Sequence, residues 1–250
     1  RFHQSTWQPG SGEPTTFFRT MSLDGSPELR TVLIGEMSLV GPGPLLVDSP
    51  EPGTPIRILI SSAGRRVGLL DCFRSDARML GIPLRVIALD LEPQLSAACA
   101  LADVAYRAPR CTAEDFISFT ESIVNREGVS LIVPTIDTEL PVYARNAVLL
   151  AKAGAVVAVS STEAVEIARD KRVSAATLER QGIQVPRTEL LRSFLLDHRD
   201  WKWPLVMKPI DGSASVGLRR LLSERDLTNL PTEEDRYLVQ ELWEGTEYTV

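Results

Sequence analysis

Trp203-Pro204-Leu205-Val206-Met207-Lys208-Pro209-Ile210-Asp211-Gly212-Ser213-Ala214-Ser215-Val216-Gly217 runs from a short apolar strand, through a lysine, into a loop of small residues. A buried strand holds the Lys208 ammonium at a fixed point. Gly212, Ser213, Ala214 and Ser215 let backbone N–H groups approach a ligand with little side chain in the way, which suits phosphate oxygens. The order is not that of a P-loop, where Gly-Lys-Ser/Thr closes the loop and a helix follows at once. Beyond the loop, Gly217-Leu218-Arg219-Arg220-Leu221-Leu222 reads as a second strand. The loop is therefore expected at the tip of a hairpin, folding over phosphates as a flap, with an ordinary hairpin turn as the plain alternative.

Two neighbouring segments extend this reading. Downstream, Tyr237-Leu238-Val239-Gln240-Glu241-Leu242-Trp243-Glu244-Gly245-Thr246-Glu247 joins an apolar strand to a hinge and a glutamate after a glycine turn. Upstream, Asp170 stands as N-cap of a helix that opens with Lys171. This order of lysine, strand lysine, Gly/Ser flap and hinge resembles the ATP-grasp superfamily, specifically its carbamoyl-phosphate-synthase-like and amino-acid-ligase-like branch. The resemblance reaches back to residue 56, where Ile56-Arg57-Ile58-Leu59-Ile60-Ser61-Ser62-Ala63-Gly64-Arg65-Arg66 looks like the opening strand and turn of the preceding domain in that family.

The resemblance implies roles. Lys171 and Lys208 would neutralise the polyphosphate of ATP, and Gly212, Ser213, Ala214 and Ser215 would form the flap over it. The hinge Gln240-Glu241-Leu242-Trp243 would meet the adenine through its extended backbone, and Glu247 would accept from the ribose hydroxyls. Trp243 fits near the base or as rim packing. The implied chemistry is ATP-dependent activation of a carboxylate as an acyl phosphate, which an amine or similar nucleophile attacks. Magnesium would accompany the nucleotide, with its ligands and the catalytic residues beyond Val250 and no metal ligand within this chain. The expectation is thus an ATP-dependent ligase represented by an incomplete enzyme, ending inside a strand; a non-catalytic nucleotide-binding remnant is the alternative.

Composition agrees with a soluble enzyme. The 250 residues are 44% hydrophobic, enough for one or two domains with a real core. A net charge of −6 argues against general nucleic-acid binding, which requires a basic face. The expected partners are small-molecule carboxylates and amines, not nucleic acid or membrane, and a homodimer is left open. Cys72, Cys99 and Cys111 form neither a metal pattern nor an even disulfide set and are read as buried free thiols in a reducing compartment. No apolar run approaches the roughly 18 residues of a membrane span, so the expected location is cytoplasmic.

Residues 1–55 hold 8 of the 17 prolines and 7 of the 16 glycines, a composition that disfavours an independent core. Within them, residues 18–46 resemble the C-terminal end of the catalytic domain of bacterial sugar-phosphate transferases. The likeness departs from that family where Gly25-Ser26 and Gly43 stand, and it lacks the membrane hairpin and acidic dyad. A remnant without transferase activity is the reading, a chance match in an irregular tail the alternative, and a transferase relative in polysaccharide synthesis the remaining function.

From residue 56 strands and helices alternate, which implies an α/β fold with a parallel, Rossmann-like sheet covered on both faces. Strands are expected at 56–61, 84–90, 104–106, 129–134 and 155–159, and helices at 67–80, 113–126 and 139–153. Ser160 with Glu163 has capping-box spacing for a helix leading to a boundary near residue 165. Domains are thus expected at 1–55, 56–165 and 166–250, the last an incomplete α+β ATP-grasp domain with a helix at 170–181.

In the first unit, the resemblance implies that Ser62, Gly64, Arg65 and Arg66 face a carboxylate or phosphate at a helix N-terminus, with a tight turn and solvated arginines as the alternative. Asp137 and Glu139 lie at the carboxyl edge of the sheet, to meet a cationic amine or to cap the next helix. A dinucleotide fingerprint ending in Asp90 fits poorly, because Ser62 and Val67 stand where glycines are required.

Overall fold

The computed structural model describes residues 54–212 and 215–245, so the transferase-like segment lies outside the described residues. The apolar runs Ile58-Leu59-Ile60 and Val86-Ile87-Ala88-Leu89 are at most 1% exposed along their whole length. Strands buried on both faces belong in the middle of a parallel sheet, and each fully buried Ile or Leu contributes about 1.5–3 kcal/mol. β1 (Ile56–Ser61), β2 (Leu84–Asp90), β3 (Val104–Arg107), β4 (Leu131–Pro134) and β5 (Val156–Val157) form that sheet in the order β3-β2-β1-β4-β5. All its neighbours are parallel.

Helices α1 (Val67–Leu80) and α2 (Ala97–Leu101) cover one face, packing Leu70 and Phe73 on Ile58, Ile60 and Val86. On the other face α3 (Phe116–Glu127) and α4 (Leu140–Lys152) bring Phe116, Ile123, Tyr143 and Leu150 against Leu59, Ile87 and Ile132. The strand expected from 129 begins at Leu131, because the Val129 N–H closes the end of α3 on the Val124 carbonyl. The last strand is two residues long, at the sheet edge beside β4 alone.

Chain direction then changes through α5 (Thr162–Arg169) and α6 (Lys171–Arg180). The cap of α5 is Ser161, whose hydroxyl accepts from the Ala164 N–H, rather than Ser160; the capping box read from Ser160 and Glu163 is one residue out of register. The expected boundary at 165 falls inside α5, where Val165 is buried. Asp170 alone separates the two helices, and its carboxylate accepts from the Arg172 and Val173 N–H groups as an N-cap.

β6 (Thr188–Leu190), α7 (Leu191–Leu196), β7 (Leu205–Pro209), β8 (Arg219–Leu221) and β9 (Tyr237–Glu241) follow. The four strands form an antiparallel sheet in the order β6-β9-β7-β8. One face buries Leu205, Met207, Leu221 and Val239 under Leu191 and Phe194 of α7, with Trp201. Strand alternation turns Thr188, Val206, Lys208, Arg220 and Gln240 to the other face.

The three cysteines form no disulfide; Cys99 is buried, whereas Cys72 and Cys111 are only partly so, contrary to the expectation of three buried thiols. Among the described residues no helix is long and apolar enough to cross a membrane.

Candidate nucleotide site

β7 and β8 pair as the expected hairpin, with Met207 opposite Arg219 and Leu205 opposite Leu221. The flap connects them. Ser213 and Ala214 lie outside the described residues; Gly212 and Ser215 have φ values of 100° and 57°. Gly217 closes the loop at φ 75°, and a Cβ there would come within 2.8 Å of the Pro209 ring. Glycine is required at that position both by its conformation and by this close approach.

Lys208 projects from β7 beside Gln240 of β9, and its Nζ donates to Gln240 Oε1 at 2.6 Å. Gln240 Nε2 donates to Thr188 Oγ1 at 2.7 Å, and that hydroxyl donates to the Pro186 carbonyl at 2.8 Å. Burial pushes the Lys208 ammonium below the usual lysine range, and the positive charge of Lys171 pushes it further. Lys171, at the first position of α6, donates from Nζ to the Gly212 carbonyl at 3.0 Å and the Ile210 carbonyl at 3.4 Å. Its backbone N–H also bonds the Ile210 carbonyl. Lys171 is thus fastened to the root of the flap, and its charge bears on Lys208.

At the hinge, Gln240 lies within β9, paired with both Thr188 and Val206, and its side chain is taken by Lys208. The Glu241 N–H bonds the Arg187 carbonyl. Gln240 and Glu241 of the expected hinge are thus extended and paired within the sheet, and Leu242 and Trp243 follow the strand end. Trp243 is 54% exposed. Glu247 lies outside the described residues.

The residues expected at the end of the first sheet form a separate cluster. Glu139 is fully buried, and its Oε2 accepts from Ser61 Oγ at 2.7 Å and Ser62 Oγ at 2.9 Å. Its Oε1 accepts from the N–H groups of Thr135 at 2.6 Å and Ile136 at 3.3 Å. Tyr143 donates to Ser61 Oγ at 2.9 Å. Burial raises the Glu139 carboxyl above its ordinary value, against these hydrogen bonds, which lower it. Both expected roles for Glu139 are overturned, since a wholly buried carboxylate with four donors neither faces an amine nor bonds the N–H groups of its own helix. It braces the turn after β1, where Ser62 adopts φ 51°, to the loop after β4.

Gly64 and Asp90 complete the brace, the Gly64 N–H donating to Asp90 Oδ2 at 2.8 Å. Asp90 Oδ1 accepts from the Glu92 N–H. The carboxylate that a dinucleotide reading would assign to a ribose is thus spent on the protein's own backbone. Arg65 and Arg66 are exposed, and Arg66 donates to the Thr135 carbonyl at 3.2 Å. The Asp137 carbonyl accepts from Arg169 at 3.1 Å, joining the first sheet's loop to α5. Sequence reasoning missed Ser61, Thr188 and Tyr143; the only signal was a polar side chain at an inward strand position or on a core-facing helix stripe.

A cavity of about 320 Å³ opens between α4, α5 and the flap root, lined by Arg145, Glu166, Arg169, Asp170, Asp211 and Arg236 among others. Lys208 and Gln240 are not among its lining residues.

Comparison with known proteins agrees with this arrangement. Residues 58–158 match the family described as PylC-like, N-terminal domain. The chain superposes on N5-carboxyaminoimidazole ribonucleotide synthetase from Thermotoga maritima with a TM-score of 0.54 and 24% identity, covering 75% of this chain and 46% of that one. The fold is that of the ATP-grasp enzymes.

Rhizobium etli pyruvate carboxylase gives a TM-score of 0.56 at 20% identity, over 76% of this chain and 18% of that one. The biotin carboxylase domain of Hydrogenobacter thermophilus 2-oxoglutarate carboxylase, solved with MgADP, ADP and bicarbonate, gives 0.54 at 18% identity, over 74% and 43%. The chain spans less than half the length of each of these three structures. No curated protein matches it in sequence.

Proposed function

We propose that this chain binds the polyphosphate of ATP between Lys171, Lys208 and the flap, as part of an ATP-dependent ligase that joins a small carboxylate to an amine. The observation that carries the reading is the placement of Lys171, bonded to the Gly212 carbonyl at the root of the flap, where its charge bears on the half-buried Lys208 of the adjoining strand. Like charges that act on each other favour an anion between them, and a nucleotide polyphosphate supplies several negative oxygens. Flap residues 212–215 would offer backbone N–H groups to the phosphates, and the base would meet Leu242 and Trp243 beyond the strand end.

In the reaction a carboxylate oxygen attacks the terminal phosphorus and the bridging bond to ADP breaks, giving an acyl phosphate. The amine nitrogen then attacks the acyl carbon, and phosphate leaves with the bonding electrons while the nitrogen loses a proton. The lysines hold charge on the transferred group through this displacement. Magnesium, when bound with the nucleotide, would neutralise charge on the phosphates alongside Lys171 and Lys208.

Titration calorimetry with ATP and ADP, with and without magnesium, on the wild-type chain and on Lys208→Ala tests the proposal. Saturable binding that weakens at least tenfold in the variant is expected; wild-type binding unaffected by the substitution would refute the assignment of the phosphates to Lys208.

A further inference from the structure

The chain has four lysines, Lys152, Lys171, Lys202 and Lys208, among 27 basic residues; every other cation is an arginine. Lysine is the flexible cation of the pair, a compact charge on a four-carbon stem that must be held by something if its position is to matter. For Lys208 the holder is visible. Its ammonium can only donate, so the amide atom facing it at 2.6 Å is the Gln240 oxygen. The Gln240 nitrogen must then face Thr188, whose hydroxyl accepts from it and spends its own hydrogen on the Pro186 carbonyl. A pure donor at one end and a pure acceptor at the other leave one consistent orientation for every group between.

We propose that Gln240 and Thr188 are positioning residues for Lys208, forming a directed chain of hydrogen bonds from the Pro186 carbonyl that fixes the ammonium on the face of the second sheet away from α7 for a ligand phosphate. The ligand in this statement rests on the nucleotide reading; the positioning does not. The register supports it, because Thr188, Gln240 and Val206 stand directly opposite one another on adjacent strands, and Lys208 lies two residues from Val206 on the same face. The chain thus crosses three strands. It also reconciles a buried, lysine-flanked ammonium with its charge, since a hydrogen bond to the charged form offsets part of what burial removes.

The test follows Lys208 directly. With lysine labelled by carbon-13 at Cε, four side-chain signals result, and Lys208→Arg assigns the one of interest. In Gln240→Met, which keeps the volume and loses the acceptor, the Lys208 titration is expected to move down by about one pH unit. Lys152 and Lys202 stay unchanged. Thr188→Val moves it in the same direction by less, and Thr188→Ser restores the wild-type curve. ATP affinity by calorimetry falls about tenfold in Gln240→Met. An unchanged Lys208 titration in a Gln240→Met chain that retains its circular dichroism overturns the proposal. A wild-type chain that binds no ATP while the titration shifts upholds the positioning and overturns the nucleotide reading.

Discussion

Lys171 donates its ammonium to the carbonyl oxygen of Gly212 at 3.0 Å, a contact between residues 41 apart in the chain. With the Ile210 carbonyl accepting both the backbone N–H and the ammonium of Lys171, the start of α6 is fastened to the root of the flap. Replacing Lys171 by Met keeps the backbone bond and removes the other two. Amide exchange over residues 210–212 is then expected to quicken about fivefold, the effect of one modest hydrogen bond. Unaltered exchange there would show that the ammonium restrains nothing.

Glu139 makes stability depend on pH. A carboxyl raised above its unfolded value holds more protons in the folded state than in the unfolded one, so stability falls as pH rises. The contribution is complete below the unfolded value near 4.5 and is lost as pH climbs through the folded value. Glu139→Gln keeps an acceptor for Thr135 and removes the titration. Urea unfolding at pH 4.5, 6 and 7.5 is expected to show the wild-type losing stability relative to Glu139→Gln across this range. Parallel profiles would assign the pH dependence elsewhere. Glu139→Ala strands the Thr135 N–H and the two serine hydroxyls, and about 2–4 kcal/mol of destabilisation is expected at neutral pH.

Gly217 sets the return of the flap. An alanine there meets the Pro209 ring at 2.8 Å and holds a left-handed conformation at φ 75°. A loss of about 1–3 kcal/mol in thermal or denaturant unfolding is expected. Gly212→Ala, at φ 100° but with nothing within 4 Å of its Cβ, isolates the conformational part of that cost. Equal losses in the two variants would show that contact with Pro209 adds nothing.

Trp243 reports on the base. Its exposed ring follows directly from the strand that carries Gln240, so intrinsic fluorescence is expected to change on ATP addition and the change to vanish in Trp243→Phe. Trp201 and Trp203, packed around Phe194, remain as internal references. A response that survives the substitution moves the base away from the strand end.

Much of the frame was legible in order of residues. α1 matches its expected bounds because Leu69, Leu70, Phe73 and Ala77 recur at helical spacing and Gly81 stops it. The flap hairpin and the Asp170 cap were legible because turn and cap chemistry are local. The shortening of β5 was not, since an edge strand's length is set by its single neighbour. Ser160 and Ser161 are both good caps, and only the register of the packed helix chooses between them. The side-chain partners of Glu139 and Gln240 were not legible for one reason: Ser61 and Lys208 lie 78 and 32 residues away, and spacing carries no trace of such contacts.

Asp170 is the sole residue between two helices, one packed on α4 and the other fastened to Ile210. Mechanically this is a crank with a single bearing. The joint between the helices is stiff because the aspartate carboxylate is clamped to two N–H groups beyond it and Ser174 Oγ of the second helix bonds back to the Ile167 carbonyl of the first.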